Sequence, residues 1–270
     1  MWEIVIAAIL GLMIGSFLNV CVYRMPRDIS IGKPARSFCP ACEKQIAWYD
    51  NIPLVSFVLL GGRCRSCGSA ISWRYPLVEA LTGLLFAVAV WKEGTAFAGV
   101  RLCLFAALMV GLVFSDLEER ILPDEFTIGG AVVGVLLILW NPPEPALSRV
   151  FLPESWPKPA LALADRVSGA AFSSGAMWGV GYAYQKLRRR EGLGLGDVKM
   201  VMMIAMFLGL MATLQVLIVG SVVGSVIGIL YVVVTRKDMA SYQLPFGTFL
   251  GAAALLIAFL EREIAVRSAW

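Results

Sequence analysis

Apolar runs long enough to cross a bilayer recur from one end of this chain to the other, and no other feature limits its fold so strongly. A spanning helix needs roughly 20 mostly apolar residues. Inside lipid, every backbone polar group has to be satisfied within its own element. The runs lie at 2–23, 75–91, 98–115, 126–140, 167–185, 198–212, 215–234 and 246–260. They predict an all-α polytopic membrane protein of about eight transmembrane helices. Of the 270 residues, 59% are hydrophobic and 16% charged, against about 25% charged in a soluble domain. Bases follow the first run (Arg24, Arg27, Lys33, Arg36) rather than precede it, and no small-residue cleavage site comes after it. It reads as an uncleaved span with its N-terminus outside.

Alternating eight spans from that start puts 24–74, 116–125, 186–197 and 235–245 on one side. Those segments hold 15 of the 23 Lys and Arg residues, among them Lys186, Arg188, Arg189, Arg190, Arg236 and Lys237. The positive-inside rule makes that side cytoplasmic. Three parts follow: a first span over 1–23, a polar cytoplasmic insert over 24–74, and a membrane domain over 75–270. A proline-rich outer segment, 141–165, reads as irregular. Gly220, Gly224 and Gly228 form a small-residue stripe for close helix packing. Membrane lipid is the implied surroundings, and nothing in the charge pattern calls for a nucleic-acid partner.

The chain has no histidine. That excludes Ser-His-Asp and Cys-His catalysis and any His-ligated metal. Hydrolytic chemistry would have to rest on other groups. An ionised acid at membrane depth costs roughly 3 kcal/mol or more unless paired or hydrated, so two acids at the ends of apolar runs stand out. Asp116 ends the run from about 98, and Asp197 stands in Gly194-Leu195-Gly196-Asp197-Val198-Lys199. The topology places both on the cytoplasmic side at similar depth. Two carboxylates sharing a site do not easily both ionise. One then polarises a carbonyl while the other activates water, which needs neither histidine nor metal. Gly194 and Gly196 would clear space for a substrate backbone and allow a sharp entry into a helix from about Val198. Asp197 alone also suits a helix N-cap, and Asp116 a solvated helix end.

Asp124 follows Leu122-Pro123 and either caps the next helix or assists the site. Lys199 biases the acids or anchors the interface. Five acids against Arg120 alone in 116–125, Glu118 and Glu119 among them, read as a solvated loop or as an attractor for a basic substrate segment.

Within the insert, Cys39-Pro40-Ala41-Cys42 and Cys64-Arg65-Ser66-Cys67 form two CxxC pairs with 21 residues between them. This pattern suits a tetrahedral four-cysteine zinc site. Four thiolates would close the coordination shell, so the metal is expected to be structural. Cys21 and Cys103 read as small hydrophobes inside their runs.

These motifs, with Gly15-Ser16-Phe17-Leu18-Asn19-Val20, Asn51-Ile52-Pro53-Leu54, Arg74-Tyr75-Pro76-Leu77-Val78-Glu79 and Pro245-Phe246-Gly247, make the sequence resemble the type IV prepilin peptidases, the leader peptidase/N-methyltransferases of type IV pili and type II secretion. The resemblance covers nearly the whole chain. It implies an enzyme of the bacterial inner membrane that cuts the basic leader from prepilins or pseudopilins on the cytoplasmic side. Its catalytic pair matches Asp116 and Asp197, and its zinc ligands match Cys39, Cys42, Cys64 and Cys67. It further implies N-methylation of the new N-terminus with S-adenosylmethionine. No Gly-rich dinucleotide-type fingerprint marks a cofactor pocket in the insert; Glu79 and residues 15–24 are the candidates. Glu79 could equally pair with Arg74. Rival readings are a presenilin-like intramembrane protease, an ion- or proton-coupled transporter relaying through the aspartates, and a scaffold with a zinc docking module.

Overall fold

The computed structural model describes residues 1–34, 36–145, 148–153, 155–190, 192–235 and 244–267. Arg236 and Lys237 lie outside them. The described residues are helical, with two isolated β-bridges and no strand. The chain forms two compact units, 1–115 and 116–270.

In the first unit, α1 (Trp2–Arg24) packs along α3 (Arg74–Glu93). Gly11 and Gly15 make this possible. A Cβ at Gly11 would lie 2.7 Å from the Thr82 carbonyl oxygen, and one at Gly15 2.8 Å from the Glu79 Cα. The helix backbones touch here, a close approach that only small residues permit. Pro76 falls in the first turn of α3, where its missing N–H breaks no hydrogen bond. Between these helices, in sequence, run the insert and its short α-helix, α2 (Val55–Leu59). Arg24 closes the start of the insert. Its guanidinium, 3% exposed, donates to the carbonyls of Ser30, Ile31, Pro34 and Arg36 at 2.8–3.2 Å. Helix α4 (Phe97–Glu119) runs out of this unit and ends in the second.

The second unit holds α5 (Asp124–Trp140), α6 (Ser148–Phe151), α7 (Lys158–Arg188), α8 (Leu195–Leu208), α9 (Leu210–Thr235) and α10 (Phe246–Arg267). The expected glycine stripe packs α9 on α10. A Cβ at Gly220 would meet the Leu250 Cα at 3.2 Å, and one at Gly224 the Phe249 ring at 3.2 Å.

Among the described residues, four helical segments are long and apolar enough to cross a membrane: Trp2–Arg27, Arg74–Glu93, Phe97–Glu119 and Leu210–Thr235. The chain is a helical membrane protein.

Three boundaries differ from the sequence reading. Helix α7 starts at Lys158, inside the segment read as irregular, because its polar residues find partners. The Asp165 carboxylate accepts the Ser148 N–H at 3.0 Å, and Arg166 donates to the Phe207 carbonyl at 3.3 Å. The run at 198–212 is broken at Gly209, whose φ of +86° ends α8. The acidic stretch 116–125 is mostly helix rather than loop. Helix α4 carries Asp116, Glu118 and Glu119 on its last turn, and α5 begins at Asp124, leaving 120–123 as the link.

Candidate functional site

Asp116 lies on the last turn of α4 and is 5% exposed. Its Oδ2 accepts the backbone N–H of Thr248 at 2.6 Å and the Thr248 hydroxyl at 2.9 Å. Thr248 is the third residue of α10, where backbone N–H groups have no partner within the helix and the dipole favours an anion. The sequence reading missed Thr248. Pro245-Phe246-Gly247, a proline just before a helical apolar run, was the available signal for a helix start there.

Asp197 is the third residue of α8, half-buried, with its N–H bonded to the Gly194 carbonyl at 3.2 Å. The N-cap is Gly194, and its φ of −74° is ordinary. The helix therefore starts three residues earlier than expected, and Asp197 is a first-turn residue rather than a cap. The charge of Asp116 acts on Asp197.

Leu122 packs on the starts of both α8 and α10. A Cβ at Gly196 would lie 3.1 Å from the Leu122 Cβ; one at Gly247 would lie 3.0 Å from the Leu122 Cδ1 and 3.2 Å from the Asp116 Cγ. Leu122 thus wedges between the first turns of α8 and α10. On the side where a Gly196 side chain would project, the space is filled by the chain's own leucine. Gly194 differs: a methyl there would sit 3.4 Å from the Asp197 Oδ2, so glycine keeps that face of the carboxylate uncovered.

Asp124 opens α5 without capping it. Its two carboxylate oxygens take the Lys199 ammonium at 2.7 and 2.9 Å, tying the start of α5 to the first turns of α8. Glu118 is exposed and Glu119 half-buried. Glu79 is buried, and its Oε2 accepts the Leu54 N–H at 2.9 Å.

The cysteine pairs do come together. All four sulfurs lie within 4.8 Å of one another, and Cys39 Sγ is 3.9 Å from Cys67 Sγ. Tetrahedral thiolates at about 2.3 Å from zinc sit about 3.8 Å apart, whereas a disulfide would need about 2.0 Å. The donor set fits one tetrahedral metal. Each knuckle is a tight turn: Glu43 N–H bonds to the Cys39 carbonyl and Gly68 N–H to the Cys64 carbonyl, with Glu43 and Gly68 in the left-handed region. Burial pushes the Cys39 thiol up, but hydrogen bonds from the Ala41 and Cys42 backbone and from Ser69 outweigh it and hold the group at about 6. At Cys42 the Lys44 backbone N–H pulls down. Lost hydration and the neighbouring Cys67 and Cys39 sulfurs push harder, to about 11. Beside the knuckles Arg65 clamps Asp50 in a bidentate pair at 2.7 and 2.8 Å, which holds the Asp50 carboxyl below its usual range. Cys21 is buried as expected, while Cys103 is only half-buried.

Fold and site together define a helical membrane protein with a four-thiol module and two acids on adjoining helix ends. Residues 9–93 match the model of the bacterial peptidase A24 N-terminal domain, and residues 103–229 that of the type IV leader peptidase family. A prepilin leader peptidase/N-methyltransferase of Myxococcus xanthus is 40% identical over 85% of this chain, which spans 63% of that relative's length. One of Dickeya chrysanthemi is 33% identical over 93% of this chain and 92% of its own. A type 4 prepilin-like proteins leader peptide-processing enzyme of Escherichia coli is 33% identical over 95% and 94%. No solved structure matches the chain. The chain belongs to the type IV leader peptidase family and is an enzyme of it.

Proposed function

We propose that this enzyme removes the basic leader of prepilins or pseudopilins at the cytoplasmic face of a bacterial inner membrane, with Asp116 and Asp197 as its water-activating pair. The single observation carrying this reading is the Asp116 carboxylate fixed on Thr248 at the α10 N-terminus, with Asp197 in the first turn of α8 and Leu122 packed beside Gly196 and Gly247 of those two helix starts. One acid takes a proton from water while the other hydrogen-bonds the scissile carbonyl oxygen. Thr248 fixes one oxygen of Asp116 and leaves the other to face the reaction. The Asp124–Lys199 pair sets the angle between α5 and α8, and the exposed Glu118 attracts the leader's bases together with Glu119. All eight apolar runs cross the membrane, the shorter helices included.

Cys39, Cys42, Cys64 and Cys67 would hold one zinc ion, which ties the insert together and leaves no open position for catalysis. The relatives' names add N-methyltransferase activity. S-adenosylmethionine would supply the methyl group for the amine that cleavage exposes.

The test is to incubate the purified enzyme with a prepilin, with and without S-adenosylmethionine, and read the product N-terminus by mass. The expected product lacks its leader and gains a methyl group only with the donor. Cleavage within the apolar helix would favour the presenilin-like reading.

A further inference from the structure

The seam between α1 and α3, at the end where the insert emerges, is lined by hydrogen-bond acceptors. Glu79 is 8% exposed, and its carboxylate receives the Leu54 N–H and the Ser16 hydroxyl. Both donors are neutral, so neither cancels its charge. A carboxylate offers about four acceptor positions, which leaves capacity for a further donor.

Asn19, 2% exposed, donates its Nδ2 to the Tyr75 carbonyl at 3.0 Å, while its Oδ1 is buried and has no partner among the described residues. Turning the amide over would set oxygen against oxygen at Tyr75, so that contact fixes the assignment. A buried acceptor left unmet has lost its hydration without replacement. The helices bring the two groups close. Gly15 lays the α1 backbone on the Glu79 Cα, and Asn19 lies one turn further along α1 against Tyr75, one turn before Glu79 on α3. Leu54, whose N–H Glu79 holds, is a non-glycine residue at φ +60°, ψ −46°.

A ligand that satisfies both groups must donate hydrogen bonds and carry positive charge. A sulfonium or quaternary centre has no N–H and would leave the Asn19 Oδ1 unmet. We propose that Glu79 and Asn19 bind a primary α-ammonium group. This rests on the methyl-transfer reading and deepens it. Either the new N-terminus of the cleaved protein or the amino-acid end of the methyl donor offers that group.

The test measures binding without turnover, on the purified full-length protein. One arm compares a short leaderless peptide with its N-acetylated form. The other compares S-adenosylmethionine with its deaminated analogue. Wild type is expected to prefer the free amine in at least one arm by about tenfold or more in Kd, and that arm names the source. Glu79→Gln and Asn19→Leu should each bring that ratio close to one. General damage to the fold weakens both members of a pair alike and leaves the ratio standing. If one variant does not fold, the other carries the same readout. No preference in wild type, or a preference kept by the folded variants, would overturn the proposal. Failure of the methyl-transfer reading shows separately, as wild-type product that never gains a methyl group.

Discussion

Leu122 packs beside Gly196 and Gly247, the glycines at the starts of α8 and α10, where a side chain would collide with it. A methyl at residue 247 would press on both Leu122 and the Asp116 carboxyl. Gly247→Ala should therefore cost about 1–3 kcal/mol, the usual range for overpacking, and slow cleavage by displacing Asp116 from Thr248. A thermal melt and a cleavage rate both equal to wild type would contradict this. Thr248→Val removes the 2.9 Å hydroxyl contact and keeps the backbone N–H, so a smaller loss of rate, about tenfold, is expected in a single-turnover assay. Replacing Glu118 and Glu119 together by lysine should raise KM for a prepilin more than it lowers kcat. An unchanged KM would show that the last turn of α4 takes no part in capture. The two acids were legible in the sequence because ionised groups at the ends of apolar runs are costly. Thr248 and Leu122 were not, since ordinary residues gain their roles only when distant helix ends meet.

At the scale of elements, the site is an arrangement of helix N-termini: α10 receives Asp116, α8 carries Asp197, and α5 opens with the acid that binds Lys199. Apolar runs located these helices but misplaced their ends, because hydropathy does not register the polar residues that extend a helix. Asp165, within the segment expected to be irregular, and Arg166 beside it sit inside α7 with partners. The cysteine spacing was fully legible, since two short turns depend on local residues alone. Its electrostatics give a prediction. Metal binding requires thiolates. With Cys39 at about 6 and Cys42 at about 11, metal-free protein at about pH 7.5 already has Cys39 ionised and Cys42 protonated. Zinc binding should then release fewer than four protons, the number rising and the affinity falling as pH drops through about 6. The Cys39 thiolate, depressed below its ordinary value, likewise stabilises the fold above about 8.5, an effect lost as pH falls through about 6. Calorimetry in buffers of different ionisation heat counts the protons. A release of four at about pH 7.5 would contradict the assignment.

For the whole molecule, membership of the leader peptidase family, the absence of histidine and the two carboxylates on adjoining helix ends support the carboxylate chemistry proposed above. A proton-coupled transporter would also keep buried acids, but it would not need its glycine and leucine contacts arranged around them. The most direct measurement of the central claim is the leader-cleavage rate, by mass spectrometry, of Asp116→Asn and Asp197→Asn in purified, folded protein against wild type. Each substitution keeps the side-chain shape and removes the acid. The account predicts that each lowers cleavage by at least about 10²-fold while the melting temperature stays within a few degrees of wild type. Leader removal at the wild-type rate by either variant would contradict it.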